Sequence, residues 1–384
     1  MGQMMSSADR TDIPTEAPHK EISLTYSLAD QSFVRTKSVG IFNVSLDLLR
    51  VLSRRPELPR LMVLANSSIH KKLNLSATGC AQIYDVAVRG SLGRMWWDQF
   101  AAYAAARRSG NEWLLLPKGF ASFVRRCPVR LAPFIHDVMQ DHYDRHYAGE
   151  GSRFEAAYFR ASFRASLRQA DVIFTPTQFT SREVARMARK KAWDLPPLVC
   201  CGEGFDRPAA APDTERHDIV VLASRFPHKL TSRAVDFFSR WRRDNPSGDP
   251  VHWVGSFPPQ LELPDLPGFR RHPRLPETEF RELLGRARVV LFFSAYEGFG
   301  RPPVEAVLAG ACPVYSDIPA TREVMSGCGF HFDNADYQSF ATAIRQALAA
   351  TPAQLRVWAE QLLAVHNWDA VAGRIVVALR QHRL

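Results

Sequence analysis

The chain has 384 residues, a net charge of +10, 46% apolar residues and a mean hydropathy of -0.20. That length exceeds one ordinary domain and predicts two of about 150 to 200 residues each, with apolar content enough for substantial cores. No run approaches the ~20 apolar residues of a membrane-spanning helix, and the N-terminus lacks the apolar core of a signal peptide.

Charge is uneven. Residues 1–200 hold 28 Lys and Arg against 18 Asp and Glu, whereas residues 201–384 hold 21 of each. The asymmetry predicts a boundary near residue 200 and a first half that faces something anionic. The six cysteines, Cys80, Cys127, Cys200, Cys201, Cys312 and Cys328, show no CxxC spacing and read as reduced structural thiols of a cytosolic protein.

Residues 1–20 are polar and expected to be disordered. Ile22 to Leu28 reads as the first strand, and Gly40 opens a helix through residue 55 on the spacing of Phe42, Leu46, Leu49 and Leu52. Leu61 to Leu64 is a second strand. Trp96, Trp97, Phe100 and Tyr103 lie on a following helix as core packing, with Arg107 and Arg108 at the end that suits the dipole.

An apolar run then ends in His136-Asp137, at the carboxyl end of a strand. The group His136, Asp137, Asp141, His142, Asp144 and His146 lacks a fixed zinc pairing such as HExxH, so no metal is expected there and a solvated loop fits. Residues 153–168 form a long helix whose Arg160, Arg164 and Arg168 share one face. That face reads as solvated, with anionic lipid headgroups or a diphosphate-linked acceptor as the alternative. A strand, a turn and a helix capped by Thr180 or Ser181 follow.

The Gly, Pro and charge-rich stretch 201–217 reads as a linker. Beyond it the strand Ile219 to Ala223 ends near Arg225 and Lys229, two cations that suit a diphosphate. The helix after them buries Ala234, Val235, Phe237, Phe238 and Trp241, and VHWVGSF is the next strand and turn.

Val289 to Val314, VVLFFSAYEGFGRPPVEAVLAGACPV, is the most informative stretch. Val289 to Phe293 is a continuous β-branched and aromatic run, as in a parallel strand buried on both faces. Gly298 and Gly300 permit close backbone approach, and Pro302 and Pro303 suit the first turn of a helix. A helix start presents unpaired donors to a phosphate. Glu297 and Glu305 bracket this turn with seven residues between them.

EGFGRPPVEAVLAGACPV resembles the signature of retaining glycosyltransferases of family 4. The resemblance covers most of the chain from about residue 22. It implies the GT-B fold, an α/β architecture of two Rossmann-like domains facing each other across a cleft. The expected parts are an acceptor-binding domain over 21–200, the linker 201–217, a nucleotide-sugar domain over 218–366, and a helix over 367–384 returning to the first domain. It further implies that Glu297 contacts the transferred sugar and Glu305 the ribose, and that His136 reaches the sugar from the opposite domain. Arg225, Lys229, Gly298, Phe299 and Gly300 would hold the rest of the donor, with Gly40 and Asp137 near acceptor or phosphate. GEGFD, from residue 202, sits where relatives carry an Asn-Gly-Val-Asp turn.

The activity so implied is metal-independent, retaining transfer of a hexose or deoxyhexose, with a mannose-type sugar from a GDP donor favoured. It would need no cofactor. The acceptor would be a glycan or lipid-linked glycan in bacterial polysaccharide, lipopolysaccharide or other glycoconjugate assembly. The expected location is the cytoplasm, peripheral on the inner face of an anionic membrane, with no nucleic acid as partner. A nucleotide-sugar epimerase of the same fold and a non-catalytic basic scaffold are the alternatives.

Overall fold

The computed structural model describes residues 21–31, 39–70, 81–86, 88, 90–149, 152–207 and 216–383. The polar segment 1–20, Cys80 and most of the linker, 208–215, lie outside them. The other five cysteines are free thiols.

The first domain is built on parallel strands β1 (Ser23–Ser27), β2 (Arg60–Ala65), β3 (Ala81–Asp85), β4 (Trp113–Leu116) and β5 (Arg130–Pro133), in the order β3-β2-β1-β4-β5. β6 (Ile173–Thr175) and β7 (Leu198–Cys200) pair with each other and continue it through a parallel bridge from Phe134 to Phe174. The second domain holds β8 (Asp218–Ala223), β9 (Val251–Gly255), β10 (Phe269–His272), β11 (Ala287–Phe292), β12 (Cys312–Ser316) and β13 (Phe330–Phe332). These six are also parallel, in the order β10-β9-β8-β11-β12-β13. At the centre of the second sheet, β8 and β11 carry near-continuous Val, Ile and Leu, as in parallel strands covered on both faces. Each sheet reverses strand order once, between β1 and β4 and between β8 and β11, and a ligand crevice opens outside the carboxyl ends at such a point.

The helix Trp368–Gln381 crosses from the second domain to the first. Its Val371, Ala372, Ile375, Val376 and Leu379 are buried in one cluster with Leu49 and Leu52 of the helix Val39–Leu52. Arg130 donates to the His382 carbonyl at 2.6 Å, and Arg383 pairs with Glu112 at 2.6 Å.

Pro352–Gln381 corrects the expectation that no stretch is apolar enough to cross a membrane: its best window has a mean hydropathy of 1.3. The stretch is two helices, Pro352–Val365 and Trp368–Gln381, separated at His366 and Asn367. Its apolarity is divided between two cores, with Leu355 and Leu362 buried in the second domain and the last helix in the first.

The Trp96 helix also departs from expectation. Trp97 and Tyr103 are buried, whereas Trp96 is exposed, because residues Trp97–Ala101 form a π-helical turn that shifts the helical phase.

Candidate functional site

Two loops meet where the carboxyl ends of the two sheets face each other. One leaves β11 through Ser294 to Gly300, and the other leaves β5 through Phe134 to Val138. Gly298 marks their closest approach. A Cβ built on it would lie 1.8 Å from the His136 carbonyl oxygen, so any side chain here would push the domains apart. The Gly298 carbonyl accepts from Thr177 Oγ1 at 2.7 Å and from Thr180 Oγ1 at 3.1 Å. Gly300 sits at φ 85° and ψ 59°, a left-handed conformation that favours glycine, immediately before the helix Arg301–Leu308.

Thr177 caps the helix Gln178–Lys190, accepting from the Thr180 N–H at 3.0 Å with an extended backbone. This corrects the expected cap at Thr180 or Ser181, which lie within the first helical turn.

Within the second domain, Lys229 Nζ lies 2.5 Å from Glu297 Oε1, bridging the ends of β8 and β11 at the switch point. The Lys229 ammonium also stands 5.2 Å from the centroid of the Phe292 ring. Arg225 is exposed at the rim, its guanidinium over the neighbouring Phe226 ring. Lys229 is therefore brought to the acidic turn and Arg225 is left outside it.

Phe299 differs from the expected donor contact. Its side chain is buried against Phe205 and His366, so only its backbone remains for a ligand. Gly40 lies exposed in the first turn of Val39–Leu52 with open space around it, so nothing in its local geometry requires glycine.

His136 does not present a vacant nitrogen to the cleft. Nε2 is 2.7 Å from the Pro117 carbonyl, an acceptor only, so this nitrogen carries the proton. Nδ1 faces Glu203 Oε1 at 3.5 Å. The Glu203 carboxylate also takes Arg301 at 3.1 Å, and Arg301 reaches Glu305 at 3.1 Å while lying over the Phe205 ring. The side chains from His136 to Glu305 thus form one relay, imidazole to carboxylate to guanidinium to carboxylate, buried at His136 and Glu203 and half-exposed at Glu305. Burial pushes the Glu203 carboxyl up, but the His136 hydrogen bond and the Arg301 charge outweigh it and hold the pKa below the ordinary range.

Sequence reasoning did not single out Glu203 or Arg301. The signal was available: an acidic residue in the GEGFD turn, and an arginine directly after the glycine turn, are charges with no obvious solvent role.

Asp137 closes the site from the first domain. Its Oδ1 accepts from the Met139 N–H at 2.9 Å. Burial pushes its carboxyl above the ordinary range and nearby Glu297 adds to this, against the Met139 hydrogen bond and the charges of His136 and Lys229. Tyr143 bonds His228 Nδ1 at 2.8 Å across the cleft, and Tyr296 stacks on His142 with centroids 4.5 Å apart. Burial, with the charge of Lys229, pushes the His228 pKa down to about 3, which leaves it neutral. Among the described residues no group of three or more His, Cys, Asp or Glu is placed to hold a metal ion.

Residues 268–361 match the family model described as glycosyl transferases group 1, a segment that includes Glu297, Gly298, Gly300 and Glu305. Part of the chain is similar to the O-antigen chain mannosyltransferase RfbU of Salmonella typhimurium, 34% identical over 88 residues, which are 22% of this chain and 24% of that protein. Another match is to a putative glycosyltransferase 41 of Sulfolobus islandicus filamentous virus, 39% identical over 67 residues, 17% of this chain and 19% of that protein. The matched segments thus span a quarter or less of these relatives.

Similarity of fold extends much further. Anabaena HepE in complex with UDP and glucose superposes with a TM-score of 0.63 at 16% identity, over 94% of this chain and 100% of that one. Sucrose-phosphate synthase from Thermosynechococcus elongatus gives a TM-score of 0.63 at 14% identity, over 94% and 99%. The chain has the GT-B fold, and the part of its second domain that carries the acidic turn matches glycosyl transferases group 1.

Proposed function

We propose that this protein transfers a sugar from a nucleotide-sugar donor to a glycan acceptor, with retention and without a metal ion, in the assembly of a bacterial-type polysaccharide or glycoconjugate. The observation that carries this reading is the Lys229–Glu297 pair at the strand switch point, set against a glycine turn in contact with His136 and Asp137 of the opposite domain. The similarity to a mannosyltransferase favours a mannose-type donor sugar.

The pair supplies both functions that a donor requires. An arriving diphosphate competes for Lys229, and the carboxylate of Glu297 is then released to accept hydrogen bonds from sugar hydroxyls. Backbone donors from Gly298 to Gly300, with the start of Arg301–Leu308, add preorganised positive potential where negative charge develops on the departing phosphate. Glu305, oriented by Arg301, faces the ribose. As the bond from the anomeric carbon to the phosphate oxygen breaks, the acceptor oxygen bonds that carbon on the same face, and the acceptor proton passes to the leaving phosphate. His136, with Nε2 committed to Pro117 and Nδ1 facing Glu203, acts by position rather than as a general base.

The test is release of nucleotide and formation of product from a panel of GDP-, UDP- and dTDP-sugars with glycan acceptors. Glu297→Ala and Lys229→Ala should each lower kcat/KM by at least 100-fold, about 2.7 kcal/mol. Unaltered turnover in both would sink the assignment, and conversion of donor without acceptor would indicate an epimerase.

A further inference from the structure

The first domain carries a surface that the proposed reaction does not use. Among the described residues eleven large apolar side chains are exposed, and six of them, Leu92, Trp96, Phe123, Val124, Phe154 and Phe159, fall between residues 92 and 159. Scattered exposed apolar residues need no explanation, but a contiguous patch does. These are contiguous. Leu92 and Trp96 stand one helical turn apart, the Trp96 and Phe100 rings are 4.5 Å apart, and the Arg125 guanidinium lies 5.6 Å over Phe100. Phe123, two residues before Arg125, is 5.6 Å from the Tyr158 ring, and Phe154 lies one helical turn before Tyr158.

The side chains protrude: Leu92 is 80% exposed, Phe154 66% and Trp96 62%. Cations are interleaved with them. Arg125, Arg126 and Arg153 are exposed and hold no ion pair among the described residues. Among the described residues the nearby acidic groups are Glu155 and Asp98, the latter pushed up to about 7 by burial. The arginine row read as solvated, with lipid or acceptor contact as the alternative, is partly committed elsewhere, with Arg160 paired to Asp144 at 3.0 Å and Arg164 over the Trp193 ring.

We infer that this surface docks on an anionic lipid bilayer, with Leu92, Trp96, Phe123, Val124 and Phe154 entering the headgroup boundary while Arg125, Arg126 and Arg153 meet the anionic headgroups. Protruding aromatic and aliphatic side chains suit a deformable apolar layer, and tryptophan with arginine is the pairing favoured at such boundaries. The surface also leads to the cleft. Phe120 packs on Phe159 at 5.2 Å, and Pro117, three residues earlier, holds His136. A bilayer here would present a lipid-carried acceptor at the cleft, a consequence that rests on the proposed transfer reaction, whereas the docking does not.

The test is flotation of the full chain with vesicles of phosphatidylglycerol and phosphatidylcholine, or of phosphatidylcholine alone, without donor or acceptor. The wild-type chain should float with the anionic vesicles, less so as salt rises. The fraction bound should fall at least tenfold in Leu92→Ser/Trp96→Ser/Phe154→Ser and in Arg125→Ala/Arg126→Ala, with Tm and transfer to a soluble acceptor unchanged. Absence of wild-type flotation, or equal flotation of both variants, would overturn the inference. Conversion of a wild-type dimer to a monomer by the triple variant, with flotation unaltered, would also overturn it and assign the surface to a second copy of the chain. Because no donor is present, failure of the transferase reading leaves the flotation result intact.

Discussion

At the residue scale, two carboxyls close to the same histidine are driven in opposite directions. Asp137 is buried beside Glu297, so its ionised form is penalised in the folded chain and stability falls as pH rises from the ordinary aspartate range through its raised value. Asp137→Asn keeps an acceptor for the Met139 N–H, and should raise Tm at pH 7, with the gain vanishing below about pH 4. Transfer activity should fall in the same variant. Glu203 has the opposite sign: its stabilisation is present above about pH 4.3 and is lost as pH falls through its depressed value. Glu203→Gln should therefore narrow the pH 7 to pH 4 difference in Tm measured by calorimetry. In kinetics it should lower kcat more than it raises KM if the relay positions His136, and a purely structural role would leave that ratio unmoved.

At the element scale, the helix Gln178–Lys190 joins the two domains through its N-terminus. Glu323, on the second domain's helix Pro319–Met325, accepts from the Gln178 N–H at 2.6 Å and from the Phe179 N–H at 2.8 Å. Thr177 in the same turn caps the helix and holds the Gly298 carbonyl. A carboxylate from one domain thus completes the unpaired donors of a helix in the other. Glu323→Ala should cost about 1 kcal/mol and favour a more open pair of domains, read as an increased radius of gyration in X-ray scattering. Thr177→Ala should cost about 1 kcal/mol as a lost cap. Gly298→Ala should be far worse, above about 4 kcal/mol or with the domains displaced, because its Cβ would meet backbone that has no rotamer to change.

At the scale of the whole molecule, the chain crosses between domains twice, near residue 204 and again near His366. At the first crossing Gly204 packs against Trp368, where a Cβ would lie 2.5 Å from the indole. The last helix completes the first domain's core, so a chain ending at His366 should leave Leu49, Leu52 and their neighbours uncovered. That truncation is expected to aggregate, measured as loss of the monomer peak in gel filtration.

The sequence by itself determined the alternation of strand and helix, the parallel character of the strand Val289 to Phe293 and the strand–glycine turn–helix that carries Glu297 and Glu305, because these depend on local periodicity and on glycine and proline chemistry. The GT-B fold was legible only through the resemblance of EGFGRPPVEAVLAGACPV to a family signature. Tertiary structure decided the rest. Whether Phe299 faces a ligand or the core, whether His136 keeps a vacant nitrogen, and which of Arg225 and Lys229 meets Glu297 depend on side chains brought together from distant parts of the chain. The Glu203–Arg301 link spans 98 positions, and the exposed apolar patch of the first domain assembles residues from three separate segments. Neither leaves a periodic signal, because each is a property of surfaces that exist only after the two sheets are packed.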